Sequence, residues 1–369
     1  MTIGVLREDK HENRVCLLPE HLPSLTKKNI SVLIESEAGK ASFADDKQYE
    51  EAGAKIRSRS QILKEADVLL KLNVSADETL PEGKVLISLL NPLGNNALVK
   101  KLARTNVTSF SLDMIPRITR AQAVDILSSM ATVAGYKAVL VAAVQLPGFF
   151  PMFMSASGTI KPSRVLILGA GVAGLQALAT ARKLGAVVEV FDVRSAVKEE
   201  VLSLGGKFVE VEGAVDDAAA GGYAVEQSEA YKQKQGELIQ QRAMLSDVII
   251  TTAQIPGMKA PVLIRRETVE AMKPGSVIID LAAATGGNCE LTKKDETVVH
   301  NRVTIIGNSN FPSTMPADAS KMLGKNMVNF LELMFDDEGN LNLDVEDEIV
   351  QQTCITRNGE IVHERIREK

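Results

Sequence analysis

Short apolar runs alternate with amphipathic stretches along most of the chain. Residues 30–35 (ISVLIE), 68–72 and 85–90 are compact apolar runs bounded by charged or turn-forming residues, as strands are, while 47–52 and 97–104 carry helical spacing. This alternation predicts a parallel α/β sheet. From Thr119 to about Val144 the pattern becomes helical, with Thr119 or Ser111 as candidate caps. Residues 149–162 mix Phe, Met, Gly, Ser and Pro with no clear period, which predicts a domain junction.

A second series begins with a strand at 164–168. A glycine-rich turn follows, then a helix at 175–184, a strand at 187–192, a helix at 196–204 and a strand at 207–210. Further strands are predicted at 248–252, 277–280 and 303–306, enough for a second doubly wound sheet. After Phe311 come a Ser/Thr/Pro turn, a helix at 317–334, an acidic loop, and a hairpin pairing 349–355 with 360–363 around Asn358-Gly359. This tail is expected to pack back on the first domain. The predicted fold is α/β: two Rossmann-like doubly wound domains with a cleft between them, the first discontinuous (1–135 and 311–369) and the second spanning 136–310.

Composition narrows the function. A chain of 369 residues accommodates two domains at about 150 residues each. Its net charge of −5 offers no broad positive surface, so a nucleic-acid partner is not expected. Cys16, Cys289 and Cys354 are far apart and odd in number, which argues against a disulfide framework. His11, His21, His300 and His363 are scattered without metal-ligand spacing, and no metal site is expected. The N-terminal MTIGVLRED reads as a strand entering a charged loop, without the pattern of an export signal. The apolar stretches fall short of the roughly 20 residues of a membrane span. Membrane association is therefore expected only through partners.

The turn Gly169-Ala170-Gly171-Val172-Ala173-Gly174 follows the apolar run VLIL and opens a helical pattern, and Asp192 ends the next strand 21 residues after Gly171. That is the layout of a dinucleotide site. Gly169 permits the tight turn, Gly171 lets backbone approach a pyrophosphate, and Gly174 lets the helix press on the sheet. The N–H groups at the helix start, near Val172 and Ala173, would face the phosphates. Glycines in this order also serve helix–sheet packing alone, so the surrounding strand, helix and carboxylate carry the reading. Asp192 suits the ribose 2′-OH of NAD(H), because a 2′-phosphate about 4 Å away would be repelled by roughly 4 kcal/mol per unit charge at an effective dielectric near 20. Arg194 is free to cover the adenine or a phosphate, or to pair with Asp192.

Two strings narrow the family: Pro116-Arg117-Ile118-Thr119-Arg120-Ala121-Gln122-Ala123-Val124-Asp125-Ile126-Leu127-Ser128-Ser129-Met130, and Asp280-Leu281-Ala282-Ala283-Ala284-Thr285-Gly286-Gly287-Asn288-Cys289-Glu290. With the glycine turn and Gly221-Gly222-Tyr223-Ala224, the chain resembles the NAD(H)-binding component of proton-translocating transhydrogenase from Gly4 to about Leu333. The resemblance implies that Arg117, Gln122, Asp125 and Ser128 hold the nicotinamide and ribose end. By itself the pattern also reads as helix capping and surface charge. The polar, glycine-interrupted stretch 213–235 resembles the family's mobile loop, with Gly222 and Tyr223 approaching the cofactor and Gln235 anchoring the far end. Gln254 stands where the family is expected to carry leucine, which leaves its backbone to make the contact. The resemblance also implies a homodimer, an NADP(H)-binding component and a membrane proton-channel subunit as partners, and a place at the cytoplasmic face of the inner membrane.

Alanine dehydrogenase shares the layout, together with Arg14 and Lys71, so those two residues do not decide between the families. A dehydrogenase acting on an amino acid needs an acid/base group beside the hydride. The corresponding positions here read Ser88-Leu89-Leu90 and Ala284-Thr285-Gly286-Gly287, which lack one. Hydride exchange between two nicotinamides needs no proton at the reacting carbons, so the absence fits transhydrogenation. An alanine-dehydrogenase-like enzyme and a non-catalytic NAD-sensing module are the alternatives.

Overall fold

The computed structural model of the chain describes residues 1–211, 229–255, 257–336, 338–343 and 346–367. Strands β1 (Thr2–Val5), β2 (Ser31–Glu35), β3 (Lys55–Arg57), β4 (Val68–Leu70), β5 (Val85–Ser88) and β6 (Thr108–Ser111) lead to the long helix α1 (Ile126–Gln145). The middle of the chain supplies β7 (Phe153–Ser155), β8 (Gly158–Ile160), β9 (Arg164–Leu168), helix α2 (Val172–Lys183), β10 (Val187–Phe191), β11 (Lys207–Phe208) and helix α3 (Glu229–Met244). It continues through β12 (Val248–Thr251), β13 (Val277–Asp280), β14 (Thr297–His300) and β15 (Val303–Ile306). Helix α4 (Pro316–Met334), β16 (Cys354–Arg357) and β17 (Glu360–Ile361) end the fold.

The chain divides into two compact units, Met1–Met130 with Pro312–Lys369, and Ala131–Phe311. Among the described residues, the first unit's sheet runs β17-β16-β6-β5-β4-β1-β2-β3, parallel from β6 to β3, with β16 antiparallel to both neighbours. Strands β4 and β5 are buried throughout. This is why they read as unbroken apolar runs rather than alternating ones. The late segment closes the sheet. Strand β16 pairs with β6, Ser109 Oγ and Thr356 Oγ1 lie 2.6 Å apart, and Phe330 of α4 meets Phe110 edge-on with ring centroids 6.1 Å apart.

The second unit's sheet runs β11-β10-β9-β12-β13-β15-β14, parallel except for β14. Chain order leaves β9 in one direction for β10 and β11, then returns to its other side for β12. The strand order therefore reverses between β9 and β12, the position at which ligands of such sheets bind beyond the carboxyl ends. Ala138, Val139 and Ala142 of α1 and Ala177, Leu178 and Ala181 of α2 share one core with the sheet. Ile239 and Ala243 of α3 lie in the other.

The structure corrects several sequence expectations. Residues Thr119–Val124 form a 3-10 turn, and α1 starts at Ile126, not at Thr119. Asp125 takes up the N–H of Ser128, so neither Thr119 nor Ser111 initiates the α-helix. The helix is 20 residues long and apolar enough to cross a membrane by length and composition, a longer apolar element than the sequence runs suggested. Part of that apolar character is spent against the second sheet. Residues 149–162 contain the β7–β8 hairpin, whose residues are exposed on both strands and so show no apolar alternation. In the tail, Glu348–Thr353 is helical and the hairpin begins only at Cys354. Helix α3 includes Gln235, which therefore belongs to a helix and not to a loop end. Gly222 and Tyr223 lie outside the described residues.

Candidate functional site

The glycine turn joins β9 to α2 at the carboxyl end of the second sheet. Gly169 has φ +110°, a left-handed conformation that glycine adopts without strain, and a Cβ there would lie 2.4 Å from Thr252 Oγ1. A Cβ at Gly174 would lie 1.8 Å from the Gly169 carbonyl oxygen, so this glycine lets α2 sit on the turn. Gly171 differs. Its φ is −78° and, among the described residues, an added Cβ would meet no atom within 4 Å beyond its chain neighbours and its own helix. Packing accounts for the first and third glycines and leaves the middle one unexplained, whereas close approach of a ligand to the backbone accounts for it.

Gly171 is also the N-cap of α2 and supplies no side-chain acceptor. The leading N–H groups of the helix, at Val172, Ala173 and Gly174, thus present donors and the positive end of the helix dipole to an anion. Asp192, just past β10, accepts the Ala170 N–H at 2.7 Å and holds the turn against the strand end. Burial is the largest single influence on its carboxyl and opposes ionisation. The hydrogen bonds from Arg194 and from the Arg194 and Ala170 backbone together outweigh it, so the group is held below the usual carboxylate range. Arg194 is engaged with Asp192 rather than extended.

Residues beyond β12 and β13 complete this end of the unit. Thr252 Oγ1 donates to the Gly169 carbonyl at 3.1 Å. The side chain of Gln254 donates to the Leu281 carbonyl at 2.7 Å. Asp280, fully buried, accepts hydrogen bonds from the hydroxyls of Thr251 and Thr292 and from the N–H groups of Ala282, Asn288 and Cys289, at 2.6–3.0 Å. These bonds fix the Ala282–Thr292 loop, where Gly287 has φ +82° and a Cβ would lie 2.8 Å from Asp280 Oδ2. Asn288 clamps the loop to Ala253 through both its amide oxygen and its amide nitrogen. Sequence reading missed Asp280 and Asn288 as organisers. The signal was a carboxylate ending an apolar strand, where only a hydrogen-bonding role tolerates it. Gly135 of α1 was missed as well: a Cβ there would lie 2.1 Å from the Ala173 carbonyl oxygen, so the glycine allows α1 to nest against the start of α2.

Arg117, Gln122, Asp125 and Ser128 belong to the first unit. The structure brings Asp125 and Ser128 together: the carboxylate accepts the Ser128 N–H at 2.9 Å and its hydroxyl at 2.5 Å. Arg117 and Gln122 are exposed on the same stretch. Asn326 and Asn329 of α4 both donate to the Ala123 carbonyl, at 2.9 and 2.8 Å, and Arg120 makes a two-pronged pair with Asp347 at 2.6 and 2.9 Å. The loop is therefore held in shape from beneath by the late segment of the chain, a support that adjacent sequence could not reveal.

In the first unit, Arg14 and Lys71 each have an acidic partner. Buried Arg14 is gripped by Glu12 through Nε at 2.8 Å and Nη2 at 2.6 Å, and Lys71 Nζ lies 2.6 Å from Glu78. Both cations are neutralised within the chain. Nearby, Glu8 takes the N–H groups of Leu72 and Asn73, and burial pushes its carboxyl up to about 7. Ser88 donates to the Leu72 carbonyl, Leu89 is half-buried, and Ala284 sits exposed in a 3-10 turn. Neither Ser88-Leu89-Leu90 nor Ala284-Thr285-Gly286-Gly287 supplies a carboxylate or an imidazole. Among the described residues, no group of His, Cys, Asp and Glu could hold a metal ion.

Two family models match the chain, "Alanine dehydrogenase/PNT, N-terminal domain" over residues 4–134 and "Alanine dehydrogenase/PNT, C-terminal domain" over residues 138–364. An NAD(P) transhydrogenase alpha-subunit chain of Rhodospirillum rubrum is 45% identical over 376 residues, covering 98% of each chain. Alanine dehydrogenase 2 of Staphylococcus aureus is 30% identical, covering 88% of this chain and 84% of its own. The crystal structure of transhydrogenase from Sinorhizobium meliloti superposes with a TM-score of 0.86 at 38% identity, covering 99% of each chain.

Proposed function

Because the chain belongs to the alanine dehydrogenase/PNT family, with transhydrogenase alpha subunits among its relatives, we propose that it binds NAD(H) and exchanges hydride with NADP(H) held on a partner component. In the same reading a membrane subunit couples the exchange to proton translocation, the chain forms a homodimer, and it works at the cytoplasmic face of the membrane. The observation that carries the nucleotide site is Gly171, a glycine with open space at the head of an uncapped helix. Dihydronicotinamide delivers hydride directly to a nicotinamide cation, so the site needs orientation and not acid/base catalysis. Val172, Ala173 and Gly174 would donate to the pyrophosphate, and Asp192 would accept from the adenosine ribose. Arg117, Gln122, Asp125 and Ser128 would hold the nicotinamide end. Leucine and alanine at positions 89 and 284, and the internal neutralisation of Arg14 and Lys71, support a nucleotide substrate over a 2-oxo acid.

The test mixes the purified chain with an NADP(H)-binding component and deuterium-labelled NADH. Deuterium recovered in NADPH only when both proteins are present is the expected result. Alanine-dependent reduction of NAD at an enzymatic rate would show a dehydrogenase instead. NADH binding without any transfer in the mixture would leave a sensor.

A further inference from the structure

The carboxylate of Asp192 is fully subscribed within the chain. Oδ1 accepts the backbone N–H and the Nε–H of Arg194, both at 2.9 Å, and Oδ2 accepts the Ala170 N–H at 2.7 Å and an Nη2–H of Arg194 at 2.9 Å. A carboxylate offers about four lone-pair positions, and these four donors fill them. The backbone donors are fixed by the turn and by the strand end. A hydroxyl that reaches Asp192 must therefore take a place held by the guanidinium.

The pair is not an ordinary surface contact. The side chain of Asp192 is 6% exposed and that of Arg194 28%, so the bidentate bond is partly shielded from water and salt. It also changes the electrostatics of the subsite. With Arg194 seated, the charge that would repel a 2′-phosphate is offset beside it. With Arg194 displaced, the freed guanidinium stands next to the position a 2′-phosphate would occupy. Either arrangement weakens the preference that a bare carboxylate would impose. Among the described residues, Glu200 also favours the Arg194 charge through space.

We propose that Arg194 is a specificity-determining residue: it competes internally with the ribose for Asp192, lowering affinity for NADH and softening the rejection of NADPH. The proposal rests on the NAD(H) reading of the site, and its experiment separates the two. Intact wild-type protein, Arg194→Ala and Arg194→Gln are titrated with NADH and with NADPH by nucleotide fluorescence, with circular dichroism to verify folding. Arg194→Ala should bind NADH about threefold tighter or more. The ratio of the NADPH to the NADH dissociation constant should rise about tenfold. Arg194→Gln, which keeps a neutral donor, should fall between wild type and Arg194→Ala. In an Asp192→Asn background, Arg194→Ala should bring no gain, because the competition is for the carboxylate. Unchanged or weakened NADH binding by Arg194→Ala would mean that Arg194 only orients Asp192 and would overturn the proposal, as would an equal gain for both nucleotides. If wild type binds no NADH, the site reading itself fails. If wild type binds NADH and only the Arg194→Ala shifts are missing, the proposal alone fails.

Discussion

Position 171 carries a glycine that the fold does not need, whereas position 174 carries one that it does. Alanine at 171 would meet open space at an ordinary φ; at 174 its methyl would overlap the Gly169 carbonyl. Gly171→Ala should keep its thermal midpoint within about 2 °C of wild type while NADH affinity falls about tenfold or more. Gly174→Ala should lose about 1–3 kcal/mol of stability, measured by urea denaturation. Equal effects from the two would remove the distinction. The glycine order was legible in the sequence; which glycines the packing requires became visible only from the neighbouring atoms. His21 gives a pH test at the same scale. Its Nδ1 accepts the Leu18 N–H at 2.9 Å, and its Nε2 lies 3.1 Å from the Lys321 carbonyl oxygen. Burial lowers its pKa, and Glu20 only partly opposes this. Protonation would put a hydrogen where Nδ1 must accept. A depressed histidine contributes stability that is present above its unfolded value near 6.5 and is lost as pH falls through the lower folded value. Wild type should thus lose stability from pH 7 to 5 more steeply than His21→Asn, a variant with no proton to gain.

At the scale of elements, Asp125 has two duties that can be pulled apart. It caps α1 through Ser128, and it stands in the loop assigned to the nicotinamide end. Asparagine caps helices about as well as aspartate, whereas alanine costs about 0.5–2 kcal/mol. Asp125→Asn should keep wild-type stability and lose reconstituted hydride transfer; Asp125→Ala should lose both. Should Asp125→Asn transfer hydride at the wild-type rate, the carboxylate is only a cap. The sequence revealed the buried strands well because β4, β5, β9 and β12 are continuous apolar runs. It hid β3 and β6, whose Lys-Ile-Arg and Thr-Ser-Phe-Ser carry charge and hydroxyls. In β6 the two serine hydroxyls are satisfied inside the fold, Ser109 by Thr356, and Ser111 as donor to Asp113 and acceptor from the Leu90 N–H. The onset of α1 was misplaced because Thr119 looks like a cap locally, yet Asn326 and Asn329 hold its turn in a tighter winding. The residues proposed for the nicotinamide end rest on family resemblance, whereas the support of their loop by α4 comes from about 200 residues away in sequence.

In the whole molecule, the first unit is made from both ends of the chain. Removing residues 312–369 would strip β16 from β6, and Thr356 and Phe330 from Ser109 and Phe110. The truncated protein should lose slow amide exchange across the first unit and retain it at β9 and β12, as read by hydrogen exchange with mass spectrometry. Protection retained on β5 and β6 would contradict this. The same split has a consequence for synthesis. A ribosome adding about 5–20 residues per second finishes β6 and then makes the whole second unit before β16 emerges, a delay of roughly 12–50 s. Throughout that interval the edge of β6 has no β16 beside it, whereas the second unit has all of its strands once β15 has been made. The half of the protein whose translation begins first is thus the half whose sheet is completed last.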